Sequence, residues 1–334
     1  MSTLSSLTAG LALGTLLLGA PASQAEPLET LSFGIISTES SQNLKTVWEP
    51  FLTDMSAQLD IEVEPFFASD YAGIVQAMRF DKVDVAWYGN KAAMEAVDRA
   101  GGEVFAQTVD ASGNPGYWSV LIAAADDDRL NSVEDVLAHA ETLSFGNGDP
   151  NSTSGYLVPG YYVFARNGVD AKQVFKRMTN ASHEANFLAV ANGQLDVATN
   201  NTETIARIRE TFPDKYDQVK VIWRSPLIPA DPIVWRKNLP ESAKQRIRAF
   251  FMTYGTTGDP HEQAVLTDLQ WAPFRPSSNA QLLPIRQLTL FAERLRLEAD
   301  TRLSAAAKAE RRRALDARLA ALEQRIEALE VAPH

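Results

Sequence analysis

Cysteine is absent from this 334-residue chain, and histidine occurs only four times. Without cysteine there is no disulfide, no thiolate nucleophile and no sulfur-ligated metal site. His139, His183, His261 and His334 lack the close spacings of transition-metal ligands, so neither a metal nor a cofactor is expected. Positive charge is in deficit: 31 Lys and Arg against 42 Asp and Glu leave a net charge of −11, which disfavours nucleic acid as a partner. The Gly-x-Ser-x-Gly elbow, the Walker loop and the dinucleotide glycine fingerprint are all missing. A catalytic reading would have to be assembled from scattered residues, and no enzyme activity is expected.

Long apolar runs are scarce as well. Leu7 to Gly19 is the one stretch rich in Leu, Ala and Gly, and Ala20-Pro-Ala-Ser-Gln-Ala25 follows it. Small residues at Ser23 and Ala25 predict a secretory signal cleaved after Ala25. The pattern lacks a Lys or Arg ahead of the run, which leaves a misassigned start or a membrane anchor as alternatives. The run is short beside the roughly 20 residues of a spanning helix.

What is present is an alternation of strand and helix patterns in a chain long enough for two domains. Leu31–Ile36 reads as a strand, Asn43–Leu59 as a helix, Ile61–Phe67 as a strand, Tyr71–Arg79 as a helix and Val83–Tyr88 as a strand. Gly116–Ala124 is a long strand-like run that could leave the first domain. The theme then repeats: strand Leu143–Phe145, a Tyr-rich helix interrupted at Pro159-Gly160, helix Glu184–Asn192, and strands Leu195–Thr199 and Val219–Trp223. Asp231–Trp235 reads as a strand returning to the first domain, followed by an amphipathic helix over Glu241–Tyr254. From Leu288 to Glu330 Ala, Leu, Glu and Arg dominate, and Leu315, Leu319, Leu322, Ile326 and Leu329 form a short heptad seam. Such a seam suits either a helix packed on its own domain or one that pairs with a second copy.

The segment most suggestive of function is Ser144-Phe-Gly-Asn-Gly-Asp-Pro-Asn-Ser-Thr-Ser-Gly-Tyr156. It predicts a strand, a turn, and three consecutive hydroxyls, Ser152, Thr153 and Ser154, at a helix mouth. Unpaired N–H groups and the helix dipole make such a mouth an anion site. Ordinary capping needs only one hydroxyl. From Glu141 to Ala165 there is no Lys or Arg, so neutral dipoles would hold the anion. Glu203 and Asp231 sit in Asn-Asn-Thr-Glu and Pro-Ala-Asp-Pro segments that equally suit turns or caps. His183 is either structural or an oxyanion donor, above all when protonated. Tyr71 and Tyr117 suit core packing.

Six blocks carry a resemblance: Phe33–Ser40, Asp84–Asn90, Pro115–Ser119, Phe145–Gly155, Asp196–Glu203 and Ser225–Trp235. In this order, between about residues 30 and 290, they resemble the periplasmic phosphonate-binding proteins of ABC importers. The resemblance implies a type II periplasmic binding fold, two α/β lobes joined by two hinge crossings with ligand between them. On that basis residues 1–25 are a signal peptide, 26–117 and 230–290 form the first lobe, 118–229 the second, and 291–334 a C-terminal helix. It implies that Ser152, Thr153, Ser154, Tyr117 and His183 hold a phosphonate, that Glu203 and Asp231 meet the amino group of 2-aminoethylphosphonate, and that Tyr71 lines the cleft. It further implies a periplasmic location, an inner-membrane permease as partner, and a homodimer through the C-terminal helices. Two carboxylates would repel a bare oxyanion, so a zwitterionic ligand follows. Phosphite, phosphate or a phosphate ester remains the alternative within the class. A phosphonate or phosphate ester hydrolase, or a scaffold acting through its C-terminal helix, stands outside it.

Overall fold

The computed structural model describes residues 28–331; the apolar run and the cleavage position at Ala25 lie outside them, as does the side chain of Leu329. Among the described residues thirteen strands form three sheets. The first contains β1 (Thr30–Ile35), β2 (Glu62–Phe67), β3 (Val85–Trp87) and β4 (Gly102–Asp110). A short ribbon strand, β5 (Gly116–Tyr117), leads out of it. The second sheet contains β6 (Ser119–Ala124), β7 (Ser144–Asn147), β8 (Arg177–Asn180), β9 (Val197–Asn201) and β10 (Val219–Arg224). The chain returns through β11 (Ile228–Pro229), and β12 (Pro232–Arg236) and β13 (Trp271–Pro276) complete the first sheet.

Strand order is β13-β4-β12-β3-β1-β2 in the first sheet and β10-β6-β9-β7-β8 in the second. In each, the strand that arrives from the other lobe is inserted antiparallel among parallel neighbours: β12 between β3 and β4, β6 between β9 and β10. This shared order is the type II arrangement. The long run from Gly116 divides at Trp118 into a hinge strand and a sheet strand. Hinge strands β5 and β11 pair antiparallel, Tyr117 opposite Ile228 and Gly116 opposite Pro229. A Cβ on Gly116 would lie on the Ile228 carbonyl, so only glycine lets the two crossings run side by side.

Local chemistry explains the elements that border the cleft. The Ser41–Leu59 helix starts where the Ser40 hydroxyl accepts from Asn43 N at 3.2 Å, and it buries Leu44, Trp48, Phe51, Leu52 and Met55 along one stripe. Tyr71–Arg79 starts on Asp70, which accepts from Gly73 N at 2.8 Å. In the first lobe the core gathers around Phe51, whose ring packs against Phe250, Phe251, Tyr254 and Phe274. The second sheet has a smaller apolar cluster on each face, one around Phe145, Phe164 and Phe175, the other around Phe187 and Ile208.

The continuous helix expected over 291–334 is instead a hairpin. Leu283–Ala299 ends before Asp300, and Ala305–Val331 starts anew on Ser304, whose hydroxyl accepts from Ala307 N at 3.2 Å. As far as its side chains are described, the heptad seam is filled within the chain: Leu315, Leu319, Leu322 and Ile326 pack on Leu283, Leu290, Phe291 and Leu297. Two legs of one hairpin satisfy each other's apolar stripes without a second copy.

Candidate ligand-binding site

The hydroxyl segment owes its shape to a proline and two glycines. Pro159 has no N–H to give the carbonyl four residues back, that of Gly155. That oxygen instead accepts from Gly148 N at 2.9 Å and from Thr199 Oγ1 at 2.7 Å, which ties the turn back onto β9. The chain around Pro159 consequently winds as two π-helical turns, Thr153–Leu157 and Gly160–Phe164. A π-turn bonds each N–H five residues back, so its first turn leaves even more free donors than an α-helix. Ser152 caps the first turn, its hydroxyl accepting from Gly155 N at 2.9 Å. All three hydroxyl residues are buried.

His183 starts the His183–Ala191 helix, and its Nε2 lies 3.3 Å from Ser152 Oγ and 3.5 Å from Ser154 Oγ. Its Nδ1 has no protein partner. Burial pushes the imidazole down to about 4, so His183 is neutral at pH 7 and the protonated donor weighed from the sequence is not its resting form. Asn201, not singled out in the sequence, caps the Thr202–Thr211 helix and also donates to Ser154 Oγ at 3.3 Å. Its only sequence signal was the Asn-Asn-Thr-Glu run already read as a cap.

Opposite the hydroxyls stand the acids. Asp231, between β11 and β12, accepts from Tyr117 Oη at 3.0 Å and from Asn90 Nδ2 at 3.5 Å. Tyr117, linked by the resemblance to the anion, therefore has its hydroxyl on the acid. Desolvation raises the Asp231 carboxyl well above its usual range, and the charge of Glu203 adds to the effect. Glu203, in the first turn of the Thr202–Thr211 helix, is held up to about 7 by desolvation, with Asp110 reinforcing and Arg207 opposing. Burial also holds the phenols of Tyr71 and Tyr117 well above their ordinary value, so both remain protonated.

Tyr71, Tyr117, Ser152–Ser154, His183, Glu203 and Asp231 thus all line one cavity between the lobes. Glu39, Trp87, Gly89, Asn201 and Arg207 join them there; the first four lie within the blocks that carry the resemblance, but no chemical pattern singles them out. The hydroxyl segment brings no cation of its own, as its composition implied. Lys91 Nζ reaches Asn151 Oδ1 at 3.3 Å from the other lobe, and Arg207 is the cationic side chain in the described lining.

The lobes are closed on each other. Arg207 Nε meets Glu39 Oε1 at 2.7 Å, Asn43 Nδ2 donates to Glu184 Oε2 at 2.6 Å, and Glu184 N donates to the Thr38 carbonyl at 3.2 Å. Nearer the hydroxyls, Lys91 N donates to Thr153 Oγ1 at 2.9 Å and Tyr71 N to Asp149 Oδ2 at 3.1 Å. Among the described residues no helix is long and apolar enough to cross a membrane, and no cluster of His, Asp and Glu is placed to hold a metal.

Comparison with known proteins shows the family. Residues 33–282 match the family model described as the periplasmic substrate-binding protein of a phosphonate ABC transporter. The chain is 62% identical over 286 residues to the phosphonates-binding periplasmic protein of Escherichia coli K12, covering 86% of this chain and 83% of that one. A crystal structure of a binding-protein component of an ABC phosphonate transporter from Pseudomonas aeruginosa superposes with a TM-score of 0.89 at 60% identity, over 91% of this chain and all of that one. A phosphate-import protein of Mycolicibacterium smegmatis is 31% identical over 212 residues, 60% of this chain and 64% of that one. These relatives bind and deliver solutes and are not enzymes, which sets aside the hydrolase reading. The chain belongs to the family of periplasmic substrate-binding proteins that serve phosphonate ABC transporters.

Proposed function

We propose that the interlobe cavity captures 2-aminoethylphosphonate as a zwitterion. The phosphonate lies against the hydroxyls of Ser152, Thr153 and Ser154, the free N–H groups of their turn, and His183. The ammonium lies between Glu203 and Asp231, and Tyr71 and Tyr117 complete the walls. One observation carries this reading: two desolvated acids line the same cavity as the hydroxyl turn, and the neighbouring cation, Arg207, is already paired with Glu39. Isolated charges in a dry cavity are costly, and a ligand ammonium removes that cost. Phosphate is the second reading, favoured by the Mycolicibacterium relative's name and by donors that fit any tetrahedral oxyanion. It offers nothing to the acid pair. Calorimetric titration decides: 2-aminoethylphosphonate should bind more than tenfold tighter than ethylphosphonate or phosphate, and equal affinities would remove the assignment of Glu203 and Asp231.

Export with cleavage near Ala25, and delivery of the closed, loaded form to an inner-membrane permease, complete the proposal. A homodimer through the C-terminal segment would have to use the hairpin's outer, charged face, because its seam is filled.

Protonation of Glu203 yields a further expected result. In the ligand-free protein its carboxyl is raised from the usual 4.5 to about 7. Between those values the unfolded chain ionises while the native one keeps its proton, so ligand-free stability falls as pH rises through that window. The ionised acid then becomes available to an ammonium. The rise in Tm on adding 2-aminoethylphosphonate should therefore be larger at pH 8 than at pH 5.5. Ethylphosphonate carries the head group without the amine and serves as the control; a matching increase with it would remove Glu203 as the cause.

Closure contributes separately. Asn43→Ala deletes a contact between the lobes and no atom of the cavity lining. A hydrogen bond to a charged group is worth about 1.5–3 kcal/mol, and solvent access at Asn43 favours the lower end. All phosphonates should weaken together by about tenfold in calorimetry, because the closed state is what they select.

A further inference from the structure

The cavity lining also has an apolar part, Leu44, Val47, Trp48, Trp87, Leu269 and Trp271. The three indoles hold one another: ring centroids lie 5.5 Å apart for Trp48 and Trp87, 5.3 Å for Trp48 and Trp271, and 5.8 Å for Trp87 and Trp271. Trp48 is itself fixed by Phe33 and Phe51 at 5.3 and 5.9 Å. No indole can turn without parting the other two, so this end of the cavity has the stiffness of the core behind it.

Sheet register sets these rings beside the acids. Trp87 on β3 is opposite Ile233 on β12, two residues past Asp231. Trp271 on β13 is opposite Asp110 on β4, the residue whose charge acts on Glu203. Trp87 Nε1 is buried without an acceptor in the protein. A tryptophan used as core filler usually has its N–H bonded, so this ring borders cavity space.

The distance from the hydroxyls to the acids is short as well. Thr153 Oγ1 and Asp231 Oδ1 lie 3.5 and 4.0 Å from the point a Cβ on Gly89 would occupy, so they are at most about 7.5 Å apart.

We propose that Trp87 and Trp271 form a rigid wall at the amine end of the cavity and restrict the ligand to a two-carbon aminoalkyl tail. This rests on the reading that Glu203 and Asp231 receive the amine, and adds the limit on tail length. A third methylene drives the ammonium into an indole or buckles the chain against packed walls, and neither side can yield without cost.

The test is calorimetry of the full chain with 2-aminoethyl-, 3-aminopropyl- and 4-aminobutylphosphonate, with ethylphosphonate as reference. The wild type should bind the three-carbon ligand at least tenfold more weakly than the two-carbon one, and the four-carbon ligand more weakly still. Trp271→Leu should narrow the first gap to below threefold, and Trp87→Leu provides the same test where the first variant does not fold. Equal binding of the two- and three-carbon amines, with ethylphosphonate at least tenfold weaker, would overturn the wall while sparing the acid pair. Persistence of the wild-type gap in both folded variants would also overturn it. Ethylphosphonate binding as tightly as 2-aminoethylphosphonate would instead remove the acid-pair reading beneath it.

Discussion

Glu203→Gln is expected to weaken 2-aminoethylphosphonate by about a hundredfold or more while leaving ethylphosphonate unchanged or slightly tighter. The substitution keeps the side chain's volume and removes only its charge. Breaking a buried ion pair by deleting one partner costs about 3–5 kcal/mol, and each 1.4 kcal/mol is about a factor of ten. Asp231 remains to share the ammonium and keeps the loss towards the lower end. For ethylphosphonate the acid contributes only repulsion, so its removal costs nothing. The ligand-free variant should also lose the fall in stability between pH 4.5 and about 7 that Glu203 produces. Parallel titrations of the two ligands against wild type and variant provide the measurement. An equal loss for both would mean that Glu203 acts through the architecture of the cavity and not through the amine.

Gly148→Ala should abolish measurable binding of every phosphonate, aminated or not, with a loss of about a hundredfold or more. A Cβ at this position would stand 2.5 Å from Gly155 Cα and 2.7 Å from its carbonyl carbon. Both contacts are with backbone, so no side chain can swing aside. The turn would have to open, breaking the bond from Gly148 N to the Gly155 carbonyl, carrying the Ser152 and Ser154 hydroxyls off His183 and Asn201 and that of Thr153 off Lys91 N. The apolar clusters of the second lobe do not depend on that bond, and circular dichroism should be near wild type. Ser154→Ala is the milder companion, removing one donor and weakening all phosphonates by about tenfold. Retained affinity in a folded Gly148→Ala protein would mean that the hydroxyl turn is not the anion site.

Much of this was legible because it is local. Strand β1, the Ser41–Leu59 helix and the Tyr71–Arg79 helix follow from residue spacing and from capping side chains within four positions. The hydroxyl triplet could be picked out because three side chains of one kind exceed what a cap requires. Other elements have no such signature. β8, Arg177–Asn180, is mostly exposed and becomes a strand only through pairing with β7. β9 runs to Asn201, two residues past its apolar part, because Asn200 and Asn201 bury their amides in contacts with the His183 carbonyl and Ser154 Oγ. The hairpin break at 300–304 was hidden by a composition that is helical on both sides of it.

The amino-acid sequence alone determined the alternating α/β architecture, a hydroxyl turn without cations, the absence of thiol chemistry, and the likeness to phosphonate-binding proteins. Each depends on residue type and near-neighbour spacing, which a chain displays without folding. Only the tertiary structure decided that Glu203 and Asp231 share one cavity, that Arg207 is committed to Glu39, that His183 is neutral, and that the leucine seam is satisfied within the chain. Those properties come from groups distant in sequence brought together across two hinge crossings. Their charges are then set by loss of water, and burial is a property of the whole fold.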